Sequence, residues 1–243
     1  MTLPTTALAL ARLITRLVWL YLVILVSSIE LSFLTRGLET TDSSVAVFVG
    51  VVALLVTLPL LVLPAVRYLA WLNGVAVRKA NLTDLARVTA WIKVFRFFAG
   101  LGLVASLISS ISLPLNLQPS GGDASPLGWW STAFMVISFL GSFGLLGVAR
   151  EWIQPHTANQ DDPLGRSRAL LPLLPNLTRW IRVIQALSVL SMVQSLVAGT
   201  LSSLGGLTAF ITLILSIVIL EFTLRFAQVS ARPGPETRGH TPA

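Results

Sequence analysis

Glu221 is the residue of this chain best placed to do chemistry. It sits in the apolar run LTAFITLILSIVILEFTLRF, four positions before Arg225, a spacing that puts both side chains on one helix face. An acid embedded among apolar residues has two readings. It can take up and release a proton or cation and so couple transport, because an ionisable group in hydrocarbon marks a functional site by default. Alternatively it is an interfacial ion pair whose long side chains reach back to water. Glu30, beside Ser27, Ser28 and Ser32 near the far end of the first apolar run, is a second candidate of the same kind. Its plainer role is contact with the headgroups there. Pro59 and Pro64 fall inside one apolar run, and each removes a backbone donor and crowds the carbonyl four residues back. A bend near Leu55 to Leu60 is therefore expected, with broken-helix binding sites of transporters as its functional reading and tolerated membrane kinks as its structural one.

Other chemistry is poorly supplied. The chain has no cysteine, which excludes disulfides, thiolate metal sites and cysteine nucleophiles. His156 and His240 are its two histidines, so a haem held by two intramembrane histidines is not available. His156 with Asp161 and Asp162 can be drawn as a metal site, yet the stretch PHTANQDDPLG reads better as a solvated loop. There is no H-E-x-x-H, no phosphate-binding G-x-x-x-x-G-K-[ST], no G-x-S-x-G and no dinucleotide-binding glycine pattern. The serines inside apolar runs have no intramembrane His or Lys to activate them. The expectation is a protein with no catalytic residue, no cofactor and no metal.

The elements that carry these residues follow from composition. Hydrophobic residues make up 54% of the 243 and charged residues 11%, with mean hydropathy +0.82, against about 25% charged in soluble domains. Such a chain is an integral membrane protein. Apolar runs of about 17–22 residues match a hydrocarbon core of about 30 Å. The sequence predicts an all-α, polytopic fold with six transmembrane helices over about 17–34, 45–66, 94–113, 129–149, 183–204 and 207–224. Together they form one domain over 1–231, followed by a disordered Pro/Gly-rich polar tail over 232–243.

Two internal likenesses organise the six helices. NLTDLARVTAWIKVFRFFAGLGLVASL at Asn81 returns in weaker form as NLTRWIRVIQALSVLSMVQSLVAGTL at Asn176, each with the Asn as a helix N-cap. TAFMVISFLGSFGLLGVAREWIQ at Thr132 resembles TAFITLILSIVILEFTLRFAQ at Thr208. The expected arrangement is three repeated helical hairpins. Sixteen of the seventeen basic residues fall on one side of that arrangement, with Arg36 opposite, so both termini and the long loops are expected on the cytoplasmic side. Trp19, Trp71, Trp91, Trp152 and Trp180 are expected at the headgroups of that side, and Trp129 and Trp130 at the other.

The net charge of +7 then points to membrane surface rather than nucleic acid. Arg78, Lys79, Arg87, Lys93, Arg96, Arg179 and Arg182 are the expected contacts to anionic lipid headgroups, with Lys93 and Arg96 extended to the surface. Small residues recur at spacings of three and four: Ala99, Gly102 and Ser106; Gly141, Gly144 and Gly147; Ser188, Ser191 and Ser195. Such seams let helices approach in lipid and suit a protein partner or a homo-oligomer. The function read from the sequence is a non-enzymatic scaffold or accessory subunit, in the plasma (inner) membrane if the source is prokaryotic. The alternative is a small transporter or channel, with a site near the Pro59/Pro64 kink and coupling through Glu221 or Glu30.

Overall fold

The computed structural model describes residues 3–40, 43–77, 82–112, 126–158, 162–197 and 204–231. Among them the fold is entirely helical: α1 (Leu3–Thr40), α2 (Ser43–Ala76), α3 (Leu82–Ser112), α4 (Pro126–Ala158), a short α5 (Pro163–Leu170), α6 (Leu174–Val197) and α7 (Leu204–Ala231). Five of them are long and apolar enough to cross a membrane, with the qualifying stretches at Ala7–Ser28, Leu58–Ala76, Leu85–Ile108, Ala133–His156 and Gly206–Ala231. Most of these lie closer to the basic end than the sequence pattern suggested, because Arg67, Lys93, Arg96, Arg150 and Arg225 are taken into the helices. The expected fifth span runs past Val197, where α6 ends, and so lies partly outside the described residues, as do Arg78, Lys79, Asn81 and the tail.

Each long helix packs on its neighbour in chain order, and α7 packs back on α1, so six helices close a ring. Individual contacts show the antiparallel sense. Asn73 Nδ2 donates to Thr15 Oγ1 at 3.2 Å between α2 and α1, and at the other end Thr208 Oγ1 donates to Ser28 Oγ at 2.9 Å between α7 and α1. Between α4 and α6 the bare backbone of Gly144 faces the Trp180 ring, and Gly141 faces Ile184 and Leu187. Between α3 and α4, Gly102 faces the ring of Phe139. Two buried clusters, one around Ile14, Trp71, Leu72 and Ile92 and one around Trp152, Leu170, Ile181 and Leu224, fill the basic end.

Local chemistry explains several departures from expectation. The polar stretch after α4 contains α5, because Asp162 caps it: its Oδ1 accepts from Leu164 N at 3.1 Å and Gly165 N at 2.9 Å, with Pro163 in the first turn where no donor is needed. α6 begins at Leu174, so Asn176 lies inside the first turn and is not its cap. Helix α4 passes through Pro155 to Ala158. A proline there costs a hydrogen bond near the helix end, where the next turn no longer needs it. Helix α2 likewise continues unbroken through Pro59 and Pro64.

The likeness between the Asn81 and Asn176 stretches does not extend to packing. Val88 is buried, whereas its counterpart Val183 is exposed; Ile181 and Gln185 are buried, whereas Ala86 and Ala90 are exposed. The two copies bury roughly opposite faces. An apolar helix in lipid has no polar face to fix its rotation, so neighbours decide which side turns inward.

Candidate functional site

Inside the ring lies a cavity of about 530 Å³ to which all six long helices contribute. Leu22 and Leu25 of α1, Leu61 of α2, Phe95 of α3, Leu145 of α4 and Leu220 of α7 line its upper wall. Trp71 and Trp152 close it toward the basic end and are themselves 2% and 6% exposed. This corrects their expected place at the headgroups: both indoles are core. Lining residues run from Leu61 to Leu72 on α2 and from Ser216 to Phe226 on α7, a height of about 15 Å at ~1.5 Å per helical residue.

Few polar atoms reach this wall, chiefly the hydroxyls of Tyr21, Tyr68, Ser216 and Thr223, and three of these are engaged. Ser216 Oγ donates to the Leu213 carbonyl at 2.7 Å, and Tyr68 shares a side-chain hydrogen bond with Thr223. Water needs two to four polar partners to be held inside a protein, and this wall does not offer them.

Beneath the floor lies His156. Expected in a solvated loop, it is instead 1% exposed in the last turn of α4, its ring centroid 5.8 Å from that of Trp71 and 5.1 Å from that of Trp152. Nδ1 donates to the Trp152 carbonyl at 3.0 Å, which leaves Nε2 to meet Ser230 Oγ at 3.1 Å on α7. The imidazole therefore ties α4 to α7 and, among the described residues, has no acidic partner. Among the described residues no group of His, Asp and Glu is arranged to hold a metal.

Glu221 does not line the cavity. It faces α6 in a separate surface groove of about 490 Å³ with Arg182, Gln185, Val189 and Arg225. Its Oε2 is 2.9 Å from Arg182 Nη1 and its Oε1 is 3.5 Å from Arg225 Nε. Arg182 also donates to Gln185 Oε1 at 2.8 Å, and Gln185 Nε2 donates to the Ile217 carbonyl at 3.2 Å. Sequence spacing pointed to Arg225, while the shorter partner, Arg182, comes from the neighbouring helix.

The remaining candidates separate. Pro64 is buried and lines the cavity; Pro59, five residues earlier, is exposed on another side of α2. The Glu30 side chain lies outside the described residues. Arg87, Lys93 and Arg179 are exposed at the basic end. Arg96 departs from its expected surface position: its guanidinium lies 4.2 Å from the centroid of the Phe143 ring, against the bare backbone of Gly147. The cation–π contact and the missing Cβ draw it into the α3–α4 interface.

Hydroxyls of the small-residue seams bond mainly to their own helices. Ser106, Ser142, Ser188 and Ser195 donate to the carbonyls four residues back at 2.8, 2.9, 3.0 and 3.0 Å. A row of hydroxyls so engaged forms no continuous polar path.

These features define a membrane protein built from apolar helices around an apolar interior. No protein family, no characterised protein and no solved structure matches the chain.

Proposed function

We propose that the protein is a non-enzymatic scaffold or accessory subunit of a membrane assembly. In this reading six helices span the bilayer as three hairpins, with both termini and the basic loops in the cytoplasm. It acts through helix packing, through those loops and through contact with anionic lipid. The observation that carries the reading is that charge and cavity are apart. Glu221 is neutralised by Arg182 and Arg225 in a groove of its own, while the central cavity has an apolar wall. Coupled transport needs an ionisable group on the path of the solute. Exposed Arg87, Lys93 and Arg179 support the lipid contact, each worth about 1 kcal/mol beside an anionic surface.

One observation favours transport as a second reading: Pro64, which frees a backbone carbonyl, stands in the cavity wall. Purified protein in liposomes separates the two. The scaffold reading expects proton, cation and organic-solute flux no greater than in protein-free vesicles. Flux at turnover rates by the protein alone, abolished by Glu221→Gln with insertion intact, would overturn it in favour of transport.

A further inference from the structure

We propose that the central cavity holds the hydrocarbon chain of a membrane lipid as a one-to-one ligand retained through purification. The inference rests on the cavity and not on the scaffold reading, so either can fail alone. The chemistry of the wall selects the class of ligand. Aliphatic side chains such as Leu25, Leu61 and Leu145 surround the shaft, the indoles of Trp71 and Trp152 close it, and the nearby Ser216 and Tyr68 hydroxyls already have protein partners. A ligand there needs no hydrogen bond and must displace no ordered water.

Shape narrows the class further. A volume of 530 Å³ over a height of about 15 Å gives a mean cross-section of about 35 Å². Carbon atoms in contact lie about 4 Å apart, so an extended chain along the helix axes fits within that section. The volume is about 3.5 times the ~150 Å³ apolar void that takes up benzene. The hydrocarbon around the ring supplies such chains at high concentration, and occupancy follows by mass action. Two sources share this chemistry: the straight acyl chain of a glycerolipid and the methyl-branched chain of an isoprenoid.

The test is native mass spectrometry of the full chain released from mild detergent, followed by extraction and mass identification of whatever remains bound. One adduct per chain is expected, and its mass assigns it to the acyl or the isoprenoid source; either assignment supports the proposal. Ala65→Phe and Ala149→Phe each grow a ring from the wall into the shaft. Both should lower adduct occupancy at least tenfold while leaving the Tm of the adduct-free protein unchanged or higher.

Dibrominated stearic acid titrated into delipidated wild-type protein gives a readout independent of those variants. Saturable one-to-one quenching of tryptophan fluorescence is expected, with at least half its amplitude lost in the Trp71→Phe, Trp152→Phe double variant. Wild-type protein with no stoichiometric adduct and only non-saturable quenching would overturn the proposal. So would a bound molecule with a fused-ring skeleton, or filled variants that keep the adduct.

Discussion

Two glycines one turn apart on α4 give opposite outcomes when changed to alanine. At Gly144 a Cβ would clash with the six-membered ring of Trp180, so the indole or α6 must move. At Gly147 the nearest atoms to a Cβ belong to the Arg96 guanidinium, 3.5 Å away, an ordinary contact with the end of a flexible side chain. Both substitutions gain the same helix propensity, about 0.8–1.0 kcal/mol, so that contribution cancels between them. What remains is overpacking at Gly144 alone, about 1–3 kcal/mol. Gly147→Ala is therefore expected to match or exceed the wild type, and Gly144→Ala to fall about 1–3 kcal/mol below Gly147→Ala. For a chain of this size each kcal/mol moves the Tm by about 2–4 °C, well within the resolution of circular dichroism at 222 nm in detergent. The packing of α4 on α6 would be refuted if Gly144→Ala melted at or above Gly147→Ala.

Three further substitutions test the basic end. His156→Phe keeps the ring between Trp71 and Trp152 but removes its two hydrogen bonds, to the Trp152 carbonyl and to Ser230, whose hydroxyl keeps its bond to the Ala227 carbonyl; a loss of about 1–3 kcal/mol is expected in the same melting assay. Ser167→Ala removes the buried 2.7 Å hydrogen bond to the Ala231 carbonyl and should cost about 1 kcal/mol, with faster hydrogen exchange in the last turn of α7. Asp162→Ala removes the cap of α5, costing about 0.5–2 kcal/mol, and exchange should quicken in α5 while the long helices keep their protection.

Helices and their sense are legible in this sequence because the bilayer imposes them. Apolar length sets the long helices, and the links between them set their alternation. The rotation of each helix about its axis is not legible. In a soluble bundle polar residues mark the outward face, whereas here lipid-facing positions such as Phe97, Leu101 and Ile108 are as apolar as buried ones such as Val88 and Ile92. Trp71 near a helix end therefore reads the same whether it faces headgroups or the ring axis. Arg96 reads as a surface cation because Phe143 and Gly147, which hold it, lie on another helix. The Glu221–Arg225 spacing was visible along one chain segment, but Arg182 becomes a partner only through the docking of α6 on α7.

The cavity follows from the ring itself. Helices pack at interaxial distances of about 8–10 Å, and six equal cylinders in a closed ring leave an axial space about as wide as a seventh. Side chains must fill it, and at the basic end they do: Trp71, Trp152, Phe226 and Ile92 converge there into packed core. One to two turns further in, leucines such as Leu25, Leu61 and Leu145 share the wall with Tyr21, Tyr68 and Phe95, and the space between them stays open. No helix is drawn to the centre, and α7 seals against α1 through the Thr208–Ser28 hydrogen bond. The open level is thus a property of side-chain size at defined positions, which is why a phenylalanine at Ala65 or Ala149 is expected to narrow it.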